Sequence, residues 1–142
     1  MPWASTPQTD PLLGSTARPL WHDGAAFDKL DKVRAIAGVP SVVADLRVCW
    51  QGEDLDRNCG RCFKCVVTQA CFWLSGVDDP ACFDVRASVD DLAAVRLSDP
   101  YKVRLGRRMR AAADEANRGD VGLAIDTALT AAGGSVDEDD RT

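Results

Sequence analysis

Four of the six cysteines in this 142-residue chain, Cys49, Cys59, Cys62 and Cys65, fall within 17 positions. Thiolate sulfur is the ligand that soft and borderline metal ions prefer, and the spacing Cys-x9-Cys-x2-Cys-x2-Cys supplies four such ligands from one short stretch. Zn²⁺ takes four of them in a tetrahedron at about 2.3 Å, and a closed Cys₄ shell marks a structural rather than a catalytic site. The two-residue gaps let the chain turn tightly, and Gly60 permits the backbone conformation that such a knuckle needs. Backbone N–H groups at a helix start, with Arg61 or Lys64 nearby, would offset part of the double negative charge of the centre. A site of this kind adds on the order of 10 kcal/mol to folding.

Other chemistries use similar spacings. An iron–sulfur cluster also takes Cys-x2-Cys-x2-Cys, but the ferredoxin run continues x3-Cys-Pro, and Val66-Val67-Thr68-Gln69 follows here. A redox dithiol needs a single Cys-x-x-Cys beside a thioredoxin-like βαβ pattern, which the chain lacks. Some of the cysteines would otherwise be buried small apolar residues, and that is the reading for Cys71 and Cys82. Six cysteines would suggest three disulfides in a small secreted protein. The N-terminal residues Met1-Pro2-Trp3-Ala4-Ser5-Thr6-Pro7 have neither a basic nor an apolar signal region, and the tight clustering favours a metal. Zinc and a cytoplasmic location are the expectations.

Outside the cysteines, the candidates are charged groups near the N-terminal third. His22 is the only histidine, which eliminates any site requiring two, and beside Asp23 it is a candidate general base or substrate contact. Lys32 and Arg47 are candidates for meeting a substrate anion, and Ser5, Thr6 and Asp10 for shaping a loop on the same side. Each also has the plainer reading of a solvated or ion-paired surface residue. The stretch from Tyr101 to Arg118 carries a local charge of +4, with Arg104, Arg107, Arg108 and Arg110 sharing a broad helix face. That face would bind RNA or an acidic partner, or be solvated and paired with the acidic tail.

The elements that must position these groups are mainly helical. Residues 1–21 read as irregular, broken by Pro2, Pro7, Pro11 and Pro19. A helix is expected from Asp23 to Ala37, with Phe27, Leu30, Arg34 and Ala37 on one stripe, stopped by Gly38 and Pro40. Ser41 would cap a short turn through Val42, Val43 and Leu46, and Leu46 to Trp50 alternates like a brief strand. Cys62 to Leu74 reads as a helix with Cys62, Val66, Ala70 and Trp73 on one face, ending at Ser75-Gly76. Ser88 with Asp91 forms a capping-box pattern, and Asp99-Pro100 opens a helix to Asn117 whose core side is Tyr101, Leu105, Met109 and Ala112. A last helix runs from Asp120 to Ala132.

Composition bounds the rest. With 46% apolar and 27% charged residues, the chain can build one core. No run approaches the roughly 18 apolar residues of a membrane span. The net charge of −5 argues against general nucleic-acid binding, because duplex affinity rests on neutralising phosphates. Residues 137–141 contribute −3 of that charge and read as part of a disordered tail over 135–142.

The stretch Leu46-Arg47-Val48-Cys49-Trp50 with Asn58-Cys59-Gly60-Arg61-Cys62-Phe63-Lys64-Cys65 resembles the C-terminal zinc knuckle of 7-cyano-7-deazaguanine synthase-like proteins of the PP-loop (N-type) ATP pyrophosphatase superfamily. Ser5-Thr6-Pro7, Asp10-Pro11-Leu12, His22-Asp23-Gly24-Ala25 and Asp31-Lys32-Val33 extend the resemblance upstream, so that it covers about Pro2 to Val77. It implies that His22-Asp23-Gly24 lies beside an interface with a nucleotide domain. That family holds ATP on a Ser-Gly-Gly-x-Asp-Ser loop, activates a carboxyl-like oxygen by adenylation and accepts a nitrogen nucleophile. No such loop is present here, and neither Gly133-Gly134 nor Gly119 with Gly122 follows a strand. The expectation is therefore a truncated or split form, the zinc-bearing part without its ATPase. The fold expected is a small, mainly α unit over 22–134 organised around a Cys₄ zinc knuckle, with an irregular segment 1–21 and a disordered acidic tail. ATP would be used only through a separate nucleotide-binding PP-loop subunit. The alternative is that this chain is itself a subunit of an ATP-dependent ligase or synthase working with that partner.

Overall fold

A computed structural model of the chain describes residues 6–22, 24–51 and 56–133. Asp23 and the acidic tail 135–142 lie outside the described residues. Among the described residues six α-helices follow one another: α1 Lys29–Ile36, α2 Pro40–Ala44, α3 Phe63–Trp73, α4 Val89–Ala93, α5 Pro100–Glu115 and α6 Gly119–Ala131. Residues 6–22 are irregular apart from a 3₁₀ turn, Asp10–Leu13. No strand occurs among the described residues, and the mainly helical class expected from the sequence holds. No helix among them is long and apolar enough to cross a membrane.

The ends of the helices follow from side-chain chemistry. Asp28 caps α1 by accepting from the Asp31 backbone N–H at 3.0 Å while Asp31 accepts from the Asp28 N–H at 3.1 Å. Helix α1 thus starts at Lys29 rather than Asp23, because Gly24 stands at φ +69 and Phe27 falls in the preceding turn, where it is exposed. Ser88 and Asp91 form the same reciprocal box at α4, and Asp99 caps α5 ahead of Pro100. Helix α5 ends with Asn117 at φ +52, and the Arg118 N–H turns back to the Ala113 carbonyl at 2.9 Å.

Helix α3 is the axis of the core. Every residue from Cys65 to Trp73 is buried, so the single apolar stripe expected over Cys62, Val66, Ala70 and Trp73 is instead an all-round buried surface. Helix α1 packs on α3, α4 touches α3 and α6, and α5 packs on α6 and touches α1. Gly106 permits the α5–α6 approach, since a Cβ there would stand 3.2 Å from Leu97 and 3.3 Å from Leu129. Leu105, Met109 and Ala112 face the core as expected, but Tyr101, in the first turn of the helix, is exposed.

The segment Leu46 to Trp50 is not a strand. Its alternation is real, with Leu46 and Val48 packed on the core and Arg47 outside. Its backbone, however, is satisfied by a side chain instead of a ladder. Asn58 accepts from the Val48 N–H at 2.9 Å and donates to the Leu46 carbonyl at 2.8 Å.

The arginine face of α5 is also resolved differently. Arg108 pairs with Asp28 at 3.1 Å and Asp31 at 2.8 Å, and Arg110 pairs with Asp114 and Asp126. These bonds tie α5 to α1 and α6, so two of the four arginines are absorbed within the helical unit.

Candidate metal centre

The four clustered cysteines reach one point from three pieces of chain. Cys49 ends the extended segment fixed by Asn58, Cys59 comes from the loop before α3, and Cys62 and Cys65 come from the cap and first turn of α3. Their sulfurs all lie within 4.8 Å of one another. Cys49 Sγ and Cys65 Sγ are 3.3 Å apart, Cys59 Sγ and Cys65 Sγ 3.7 Å, and none of the six cysteines is in a disulfide. Cys49 and Cys65 are buried, while Cys59 and Cys62 are half-buried. The four sulfurs form a group that can hold a metal ion.

Backbone N–H groups already point at this sulfur cluster. The Cys59 N–H donates to Cys49 Sγ and the Cys62 N–H to Cys59 Sγ, each at 3.4 Å. Such donors favour thiolate over thiol. For Cys49 burial pushes the thiol up, but hydrogen bonds from the backbone at Cys59 and Gln51 and from the neighbouring sulfurs outweigh it and bring it down to about 6. Burial pushes Cys62 up, and burial with the Cys49 neighbour pushes Cys65 up further. Cys49 thus favours the thiolate, while burial opposes ionisation of Cys62 and Cys65.

The loop between Cys59 and Cys62 depends on Gly60. Its φ is +73, and a Cβ there would stand 2.5 Å from both the Cβ and the carbonyl oxygen of Val85. Two buried amides hold the surroundings. Besides bonding Leu46 and Val48, Asn58 donates to the Cys82 carbonyl at 2.9 Å. Gln69 donates to the Gly60 carbonyl at 3.2 Å and accepts from the Ala87 N–H at 2.9 Å. Neither residue stands out as functional in the sequence reading. The available signal for Gln69 was a polar amide in the middle of an otherwise apolar helix. At the rim, Lys64 Nζ lies 3.7 Å above the ring of the exposed Trp50.

Of the trailing cysteines, Cys71 is fully buried in the core and Cys82 is half-buried beside it. The other sequence-derived candidates do not join the cysteines. His22 and Lys32 line a groove of about 450 Å³ with Asp28, Lys29, Thr68 and Tyr101. Arg47 is exposed and is not part of that lining, and Asp23 lies outside the described residues. The Asp10 carboxylate accepts from the Thr6 N–H at 3.0 Å and meets His22 Nδ1 at 2.5 Å, so the turn at 6–10 and His22 are one unit.

Comparison of the chain with family models, with curated proteins and with solved structures finds no match.

Two outcomes follow from the geometry. Gly60→Ala should destabilise the folded chain by about 3 kcal/mol, combining positive-φ strain with a backbone clash, while Gly38→Ala, which meets nothing within 4 Å, should stay within about 0.5 kcal/mol. Equal denaturation midpoints for the two would contradict the account. At neutral pH a metal must displace protons from Cys62 and Cys65, so the metal-bound state holds fewer protons and affinity rises with pH. Each displaced proton contributes about tenfold per pH unit; Zn²⁺ affinity measured by competition should therefore fall at least about a hundredfold from pH 8 to pH 7, and more steeply below about 6, where Cys49 also protonates. A flat profile would show that these sulfurs are not the ligands.

Proposed function

We propose that this chain is a zinc-stapled helical module of the PP-loop ATP pyrophosphatase-like kind, without catalysis of its own, that docks onto a separate nucleotide-binding chain. The sulfur spacing carries the metal part of this reading. A tetrahedron of sulfurs at about 2.3 Å from zinc has edges of about 3.8 Å, and separations running from 3.3 Å to no more than 4.8 Å bracket that edge. Cys49, Cys59, Cys62 and Cys65 would hold the ion, and what it supplies is a crosslink between the 46–50 segment and α3. With four protein ligands there is no open position for substrate or water.

The partner is supported by the resemblance at Leu46–Trp50 and Asn58–Cys65 and by the exposed apolar surface. Leu12, Leu13, Trp21 and Phe27 are 60–83% exposed, more large apolar area than an isolated surface needs and of the kind that interfaces cover. No strand occurs among the described residues, so none of them forms a strand–loop–helix phosphate cradle. The second reading, a subunit of an ATP-dependent ligase or synthase completed in trans, is favoured by the groove that places His22, Lys29 and Lys32 beside Phe27.

Metal analysis of the purified, reduced chain should give one zinc per molecule, lost in both Cys59→Ser and Cys62→Ser together with helicity. The chain alone, given ATP and Mg²⁺, should release no pyrophosphate. Iron with visible absorbance, zinc retained in both variants, or pyrophosphate release by this chain alone would overturn the proposal.

A further inference from the structure

The groove along α1 carries two lysines against one carboxylate in its lining. Two ammonium groups, Lys29 and Lys32, belong to its lining, three residues apart and so on one face of α1. Neither is ion-paired with a carboxylate among the described residues. The carboxylate in the wall, Asp28, is taken by Arg108 Nε at 3.1 Å and by the Asp31 N–H, and Asp10 meets His22.

Lys29 is the more telling of the two. It is half-buried, and burial pushes its ammonium down from the ordinary lysine value. Its Nζ donates to Thr68 Oγ1 at 3.2 Å, and that hydroxyl is itself committed to the Lys64 carbonyl at 2.6 Å. One neutral hydroxyl is the hydrogen-bond acceptor for this ammonium among the described residues. Lys32 is exposed, and its side chain runs beside Gly24, its Cε and Nζ passing 3.2 and 3.5 Å from where a Cβ on Gly24 would stand; Gly24 is also in the lining. His22 leaves Nε2 as the ring nitrogen that Asp10 does not engage.

The geometry points to this groove as a binding site for a small phosphate monoester with an apolar or ring body, its phosphate held between Lys29 and Lys32. Two lysines without an arginine fork suit a tetrahedral, doubly charged oxyanion better than a planar carboxylate. Phe27, Val33, Ile36, Leu46 and Tyr101 supply the apolar walls for the body, and about 450 Å³ is the size of a small-ligand site. The site needs neither the zinc nor the partner chain proposed above.

The test is an amide chemical-shift titration of the purified full chain with phenyl phosphate, inorganic phosphate and benzoate. Phenyl phosphate should give saturable shifts at Lys29, Lys32, Thr68 and Tyr101 and bind more tightly than either of the other two. Lys29→Met and Lys32→Gln should each weaken it about tenfold. Lys32→Gln alters only an exposed position, so it carries the test if Lys29→Met does not fold. No saturation below roughly 10 mM, equal affinity for benzoate, or binding unchanged in Lys32→Gln would overturn the assignment.

Discussion

Four sulfur atoms brought within 4.8 Å of one another are the constraint on which the rest of this molecule depends. They join the chain between α2 and α3 to the first turn of the most buried helix. Everything next to them is arranged around that meeting: Gly60 lets the loop pass against Val85, Asn58 locks the strand-like segment in place without a second strand, and Gln69 ties the loop to the chain before α4. Without a bound ion, a single favoured thiolate sits beside thiols whose ionisation burial opposes. A divalent cation removes that conflict, and in the proposed reading this is where a chain of short helices finds much of its stability.

Charge is distributed to match this division of labour. The arginines of α5 close the helical unit by reaching Asp28 and Asp31 on α1 and Asp126 on α6. Such exposed pairs add little stability individually, but they set which helix faces meet. Two lysines on α1 are left outside this pairing, and they face the groove. Beside the structural region built from sulfur and buried amides lies a groove with two lysines, with Leu46 and Val48 in its lining.

Much of this was legible in the residues. The cysteine spacing, the Ser88–Asp91 box, the Asp99-Pro100 start and the glycine ends of the helices are local signals, and local signals fix where helices begin and where ligands cluster. What escaped depended on long-range contacts. The alternation from Leu46 to Trp50 is the pattern of a half-buried strand, but a strand needs a neighbour, and the bonding it offered was taken by one asparagine ten residues on. Helix α1 began late because Asp28 and Asp31 form a capping box, which periodicity alone does not weigh. The pairing of Arg108 with Asp28 and Asp31 joins positions some eighty residues apart and leaves no trace in spacing. His22 and Lys32, read as substrate-side candidates, line one groove, whereas Arg47 alternates outward and Lys29, half-buried in that lining, gave no signal before its burial was seen.

The central claim is that these four sulfurs, and nothing else, surround one zinc ion. X-ray absorption at the zinc edge of the purified protein measures that shell directly. The account predicts four sulfur scatterers at about 2.3 Å with no nitrogen or oxygen in the first shell; a mixed shell containing nitrogen or oxygen, or zinc bound with fewer than four sulfurs, would contradict it.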